Sequence, residues 1–366
     1  MAIYQCKKCN KTWSYPIKKC IFCHEDVKEI NESQYKIIGY TQVHIPSTGN
    51  EKTPYIEYLL ESDKGNRVIK KLFDNYKIGD VINLNENKKK NLLVGIVGTG
   101  QLGSGIAEYM LRNGYQIVIK SRSQDSSNKI ISKITKKLSK DNTAEQVQYM
   151  LKNMKTTLNY ADMKDCDVII EAVVENINTK KEVFKSLSNV CDKKTIFASN
   201  TSSLSIDELA EITNRTDKVI GMHFFNPVSK MDLIEVVVGK KTSDDTKNFI
   251  INFSKELNKK PVVVNNSPGF IVNRLLLPQI NDAIKLYESG IASKEDIDSA
   301  MKLGLNHPMG PFALADLIGI DVCVLILNTL YTSFKEERYK PSKTLMELLN
   351  DGKLGFKTGE GFYKYN

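Results

Sequence analysis

The chain has 366 residues, 41% of them hydrophobic and 26% charged, a length that needs more than one core and a balance that excludes an intrinsically disordered or membrane-embedded protein. Its formal net charge of +9 is spread through Lys-rich segments of mixed sign. It fits nucleic acid, a polyanionic cofactor or plain solubility equally, so charge selects no function. The longest apolar stretch, Phe312 to Leu330, is interrupted by Asp316 and Asp321 and falls short of the roughly 20 apolar residues a bilayer span needs. The first residues reach Cys6 and Lys7 without a secretory core, so no membrane association and a cytoplasmic protein are expected.

Four of the seven cysteines form two C-x-x-C pairs, Cys6 with Cys9 and Cys20 with Cys23. Two tight turns presenting four thiolates can close a tetrahedral site for Zn²⁺ or iron, and structural zinc is the expected occupant, with a redox or ligand-free site as the alternative. Sulfur at all four positions leaves none open for a substrate. His24 follows the second pair, where Gly or Asn would turn more easily, and reads as a solvated neighbour rather than a fifth ligand. Cys166, Cys191 and Cys323 are isolated and expected as buried thiols.

From Tyr35 the pattern changes to short β-rich runs: Tyr35 to Val43, Tyr55 to Glu61, Arg67 to Phe73 and Val81 to Leu84. They are separated by Pro46, Gly49, Pro54 and a turn at Asp63 to Asn66, a spacing that predicts a small barrel. A zinc ribbon followed by such a barrel resembles the ribbon plus OB-fold proteins that accompany thiolases and other acyl-CoA enzymes. That resemblance implies a CoA-related role or docking to a thiolase-like partner. Single-stranded nucleic acid on Tyr40, Tyr55, Tyr58 and Tyr76, or scaffolding alone, are the alternatives. Asn85 to Asn91, NENKKKN, is polar and aperiodic and reads as a linker.

Leu92 to Val97 is a buried-strand run feeding into Gly98-Thr99-Gly100-Gln101-Leu102-Gly103, after which Ile106, Ala107, Met110 and Leu111 recur at helical spacing. This is the strand, glycine turn and helix of a dinucleotide site. Gly98 permits the turn, Gly100 lets a pyrophosphate approach the backbone, and Gly103 lets the helix pack closely. At the end of the next strand, Gln116 to Lys120, an NAD enzyme normally carries Asp or Glu for the ribose 2′-hydroxyl. Here Ser121 and Arg122 follow Lys120. A guanidinium beside a hydroxyl accepts a 2′-phosphate that a carboxylate would repel, so NADP(H) is favoured over NAD(H). The alternative is that Ser121 tolerates NAD and Arg122 stacks on adenine.

Further on, strands Val168 to Glu171 and Thr195 to Ala198 end at Glu175-Asn176 and at Ser199 to Ser203. His223 leaves a strand beginning near Ile220, and Glu235 lies inside the strand Leu233 to Val238. An imidazole and a carboxylate on successive strands can meet as an acid/base dyad. A satisfied structural His and a Glu paired with a lysine are the plain alternatives.

SNTSSL, GMHFFNPV, LIEVV, SPGFIVNRLL, GPFALAD and KTGEGFYKY, in this order over residues 92 to 366, resemble the L-3-hydroxyacyl-CoA dehydrogenases, including 3-hydroxybutyryl-CoA dehydrogenases. The resemblance implies hydride transfer between a nicotinamide and C3 of an acyl-CoA. His223 would be the general acid/base and Glu235 the carboxylate that orients it. Ser202 and Asn273 would hydrogen-bond the reacting oxygen, and Asn226 would lie on the nicotinamide side. Glu175, Lys180 and Lys357 would fall on the cofactor, and a homodimer would form through the C-terminal helices. An imidazole titrates near neutrality and can both take and return the hydroxyl proton.

Two departures stand out: no acid at Ser121, and a shortened stretch from Ser123 to Met154 where the family has a long helical hairpin contacting CoA. Its Lys129, Lys133, Lys136 and Lys137 read as a solvated face or as contacts to CoA phosphates.

The expected architecture is α/β: a zinc ribbon (1–34), an OB-like barrel (35–90), a Rossmann-type doubly wound sheet (91–267) and an all-α C-terminal domain (268–366) with helices over Ile271 to Tyr287, Lys294 to Leu303 and Pro311 to Leu330. His307 reads as a loop residue without chemistry. A dehydrogenase of a free sugar acid, of gulonate type, is the enzymatic rival. A non-catalytic scaffold binding a thiolase or nucleic acid is the rival from another class.

Overall fold

A computed structural model describes residues 2–9, 11–13, 17–31, 34–43, 55–63, 65–71, 76–83 and 92–365, and the chain divides into units spanning 1–90 and 91–366. The linker expected over 85–91 and the expected turn residues Pro46, Gly49 and Pro54 lie outside the described residues. In the first unit β1 (Ala2–Cys6), β2 (Thr12–Trp13) and β3 (Val27–Asn31) pair antiparallel in the order β2-β1-β3. Cys6 ends β1 and Cys9 follows it, and the other pair precedes β3. His24 closes the second turn in the left-handed region, with φ 57°.

Strands β4 (Gln34–Val43), β5 (Tyr55–Ser62), β6 (Arg67–Lys71) and β7 (Val81–Asn83) form an antiparallel sheet in the order β6-β5-β4-β7. The fourth strand returns beside the first, which is Greek-key order. Tyr35, Ile37, Tyr58, Leu60 and Val68 make its small core. Among the described residues β6 and β7 lie at the edges of this sheet, with no pairing between them.

The second unit begins with six parallel strands: β8 (Leu93–Val97), β9 (Gln116–Lys120), β10 (Met154–Thr157), β11 (Val168–Glu171), β12 (Ile196–Ser199) and β13 (Val219–Phe224). Their order, β10-β9-β8-β11-β12-β13, is that of a doubly wound dinucleotide fold, with the switch point between β8 and β11. Then β14 (Leu233–Val238) runs antiparallel to β13, and β15 (Lys260–Asn265) runs parallel to β14. The near-continuous apolar strands are what burial on both faces requires. One face packs on α1 (Gln101–Arg112), α2 (Gln124–Leu138) and α3 (Ala144–Leu151) through Ile106, Met110, Ile130 and Val147. The other packs on α4 (Ile177–Val190) and α5 (Ile206–Glu211) through Phe184, Leu187 and Leu209, and α6 (Asp244–Glu256) returns to the first face through Phe253.

The stretch after Ser123 forms two helices, α2 capped by Ser123 and α3 started by a Thr143–Gln146 capping box. Lys129 pairs with the exposed Asp125 at 2.7 Å, and Lys137 reaches the buried Glu108 of α1 at 3.5 Å.

The C-terminal helices are α7 (Val272–Glu288), α8 (Lys294–Leu305), α9 (Pro311–Ile318), α10 (Ile320–Phe334) and α11 (Lys343–Asn350). The single helix expected over Pro311 to Leu330 is in fact α9 and α10, bent by 96° at Gly319, whose φ of 104° only glycine adopts without strain. Among the described residues no single helix is long and apolar enough to cross a membrane. Cys166, Cys191 and Cys323 are buried, and burial pushes their thiols up to about 12, 11 and 12.

Candidate active site

Glycine spacing becomes geometry at the end of β8. Gly98 has φ 124°, and a Cβ there would run into the carbonyl oxygen of Ala172; a Cβ on Gly103 would run into the carbonyl oxygen of Gly98. A Cβ on Gly100 would meet nothing within 4 Å. Packing therefore demands the first and third glycines, and the second leaves the backbone open to a ligand. Helix α1 starts just beyond, with no side-chain cap and no acid in its first turn, so its amide N–H groups and dipole face an anion unopposed. A cleft of about 600 Å³ opens there, between the ends of β8 and β11, lined by Gly98, Gly100, Val173, Lys120 and Arg122 among others.

Ser121 corrects one expectation. It is 1% exposed and its hydroxyl has no hydrogen-bond partner, so it is not among the groups lining the cleft; Lys120 and Arg122 are. Lys120 donates to the Ser121 carbonyl at 2.9 Å and lies 4.5 Å over the Tyr160 ring, and burial pushes its ammonium down.

His223 and Glu235 are direct cross-strand partners in the antiparallel β13–β14 ladder, which puts both side chains on one face. Nδ1 of His223 lies 2.7 Å from Oε2 of Glu235, with the residues 5% and 0% exposed. The other carboxylate oxygen, Oε1, accepts the backbone N–H groups of Ile271 and Val272 at 3.0 Å each, at the start of α7. Burial opposes the charge on Glu235, but the bond from His223 and the two amides outweigh it and hold the carboxyl below its ordinary range. An ionised carboxylate only accepts, so Nδ1 carries the ring's hydrogen and Nε2 is left to face a substrate. The rings of Phe225 and Phe270 lie 4.5 and 5.7 Å from the imidazole and limit water around it. Close by in the chain's hydrogen bonding, Asn273 on α7 donates to the Ser202 carbonyl at 3.2 Å.

Models of known families match this sequence almost end to end across the second unit: the NAD binding domain of 3-hydroxyacyl-CoA dehydrogenase over residues 93–267, and the C-terminal domain of the same enzymes over 269–365. The chain belongs to the 3-hydroxyacyl-CoA dehydrogenase family. It is 49% identical to the 3-hydroxybutyryl-CoA dehydrogenase of Clostridioides difficile, over 74% of this chain and 98% of that one. With the human mitochondrial hydroxyacyl-coenzyme A dehydrogenase it shares 43%, over 74% of this chain and 90% of that one. A solved (S)-3-hydroxybutyryl-CoA dehydrogenase from Ralstonia eutropha superposes with a TM-score of 0.72 at 42% identity, covering 75% of this chain and 99% of that one. This protein is thus an oxidoreductase with an NAD-binding domain.

Within this dehydrogenase the four expected reaction residues fall into two linked pairs, His223 with Glu235 and Ser202 with Asn273. Of the other residues expected on the cofactor, Lys180, Glu175 and Lys357 make contacts within the chain. Lys180 is 1% exposed, and its ammonium lies 2.8 Å from Glu171 and 3.3 Å from Glu175, so it presents no surface to a ligand. Glu175 turns toward the Ser202 loop, accepting from the Ser202 amide at 2.8 Å and the Thr201 hydroxyl at 2.6 Å. Lys357 pairs with Asp321 beside Gly319. Asn226 is exposed after β13.

Sequence reasoning passed over Asn200 and Glu171. Asn200, 8% exposed, accepts from the Phe224 amide at 2.8 Å and so ties the end of β12 to the strand that carries His223. An acid closing the apolar run Val168-Ile169-Ile170 is the signal that could have found Glu171.

Proposed function

We propose that this dehydrogenase interconverts short-chain 3-hydroxyacyl-CoA and 3-oxoacyl-CoA, such as 3-hydroxybutyryl-CoA and acetoacetyl-CoA. The observation that carries the reading is the buried His223–Glu235 pair, beside the Ser202–Asn273 pair, in a chain with an open glycine-turn cleft. When bound, the nicotinamide cofactor supplies or accepts the hydride. Nε2 of His223 takes the proton of the C3 hydroxyl in oxidation and returns it in reduction. Ser202 and Asn273 steady the partial negative charge on that oxygen. Acetoacetyl-CoA reduction, followed by nicotinamide absorbance, tests the reading, and inhibition by free CoA separates it from a sugar-acid dehydrogenase, which should be indifferent.

For the cofactor we infer a preference for NADP(H) within a nucleotide site built for NAD(H). The support is the absence of an acid at the end of β9 and the presence of Lys120 and Arg122 along the cleft. The buried Ser121 contributes by not being a carboxylate, rather than by its hydroxyl. Ser121→Asp is expected to shift the NADPH to NADH ratio of kcat/KM toward NADH by about tenfold or more. A strong NADH preference in the wild type overturns the inference.

For the first unit we infer a structural zinc site and an OB-like acyl-CoA-associated or docking module, with a thiolase-like enzyme as the partner class. The four cysteine Sγ atoms lie within 4.8 Å of one another, with Cys6 to Cys23 at 3.4 Å and Cys9 to Cys20 at 3.5 Å. These separations are far too long for disulfides and close to the ~3.8 Å edge of a tetrahedron with Zn–S bonds of ~2.3 Å. Backbone amides of Lys8 and Cys9 donate to Cys6, and those of Phe22 and Cys23 donate to Cys20, all at 3.4 Å, an arrangement that stabilises thiolates. Such a site is expected to hold about one zinc per chain by elemental analysis, and Cys9→Ser to lose it with turnover retained. Nucleic acid is disfavoured because Tyr58, central to the supposed aromatic platform, is 2% exposed in the core.

We also infer a homodimer through the helical domain, supported by Leu275, Ile291 and Leu303, each at least 70% exposed. Sedimentation should report a dimer, and Leu303→Asp should weaken it.

A further inference from the structure

Glu171 is the last residue of β11, 1% exposed at the end of an otherwise apolar strand. Its Oε1 accepts from the Val173 amide at 2.7 Å and from Lys180 Nζ at 2.8 Å. Its Oε2 accepts from the Ser199 hydroxyl at 2.6 Å and from Lys180 Nζ at 3.1 Å. Val173 lines the cofactor cleft, and Ser199 ends β12, from which the loop carrying Ser202 departs. Lys180 reaches on to Glu175 Oε2 at 3.3 Å, and Glu175 Oε1 holds that same loop through the amides of Ser202 and Ser203 and the Thr201 hydroxyl, at 2.8, 3.1 and 2.6 Å.

We propose that Glu171 is a positioning residue that, through Lys180 and Glu175, locks the rim of the cofactor cleft to the loop carrying Ser202. Cofactor binding and placement of the group that hydrogen-bonds the substrate oxygen are thereby set together. A buried ion pair adds little stability over apolar side chains of the same shape. What it does add is direction: in a low-dielectric interior each of these bonds is strong and each loss is felt by its neighbours. Glu171→Gln removes the charge that Lys180 pairs with and leaves one acceptor oxygen for the Val173 amide and the Ser199 hydroxyl, so at least one of the two loops should move.

This inference rests on the dehydrogenase reading above, and the experiment separates the two. Full-length wild type, Glu171→Gln and the charge-balanced Glu171→Gln/Lys180→Met are compared. NADH and NADPH affinities are measured by fluorescence titration, and kcat and KM with acetoacetyl-CoA by turnover. The double variant keeps the test open where the single one fails to fold. The expected result is cofactor binding weakened by about 5- to 30-fold and kcat lowered, with KM for the acyl-CoA within about twofold of wild type. Folded variants that bind cofactor and turn over within about twofold of wild type, changed only in melting temperature, overturn the proposal. Should the wild type reduce no acetoacetyl-CoA, the substrate reading fails, and the cofactor titration still decides the role of Glu171.

Discussion

His223→Gln is expected to lower kcat for acetoacetyl-CoA reduction by about 10²- to 10⁴-fold, with cofactor affinity unchanged in a binding titration. Glutamine can fill the space of the imidazole and donate to Glu235, but it neither delivers nor accepts a proton near neutral pH. Reduction leaves negative charge on the C3 oxygen, and Ser202 and Asn273 can steady that charge without quenching it. The surviving activity of the variant therefore measures those two donors and the bound geometry alone. Near-wild-type turnover would remove His223 from the reaction and, with it, the dyad as its proton route.

Glu235→Gln is expected to cost on the order of 10³- to 10⁴-fold in kcat, for a reason that the structure makes specific. The side chain can still accept the Ile271 and Val272 amides through one oxygen. Its amide nitrogen would then face His223 as a donor, which forces the hydrogen from Nδ1 to Nε2 and leaves no lone pair for the substrate proton. Glu235→Ala should go further and lose about 3–5 kcal/mol of stability, because the start of α7 loses its anionic cap along with the imidazole's partner.

The sign of the pH dependence follows from the lowered carboxyl of Glu235. A carboxyl whose folded value lies below its unfolded value stabilises the fold fully above the ordinary carboxylate range, and that stability is lost as pH falls through the lowered folded value. The difference in melting temperature between wild type and Glu235→Gln should therefore be largest near neutrality and shrink below about pH 4. A difference that grows on acidification would contradict the ionised, helix-capping role.

The elements closest to their sequence signals are those with local causes. The glycine turn after β8, the strand Gln116–Lys120 and the strand carrying Glu235 appear where periodicity and turn chemistry put them, because steric limits and alternation of apolar residues act over a few positions. The break at Gly319 was missed because a glycine inside an apolar run is compatible with a continuing helix, and the competing packing of α9 and α10 is not written in their own sequence. Asp316 shows the same limit: it interrupts an apolar stretch, yet it is 1% exposed and accepts the Phe362 and Tyr363 amides at 2.9 Å each, docking the C-terminal segment from 46 and 47 positions away.

By itself, the sequence determined which chemistries this protein can perform: a dinucleotide turn, a four-sulfur clamp, and an imidazole and a carboxylate on successive strands. Tertiary structure alone decided how the remaining charges were used. Lys180, buried, reaches Glu171 and the partly exposed Glu175, Lys357 pairs with Asp321, and the unremarked Glu171 bonds both Val173 and Ser199. The physical reason is that a charged side chain's role depends on what lies within about 4 Å of it and on the water it has lost. Both are properties of distant segments brought together, not of the residues beside it in the chain.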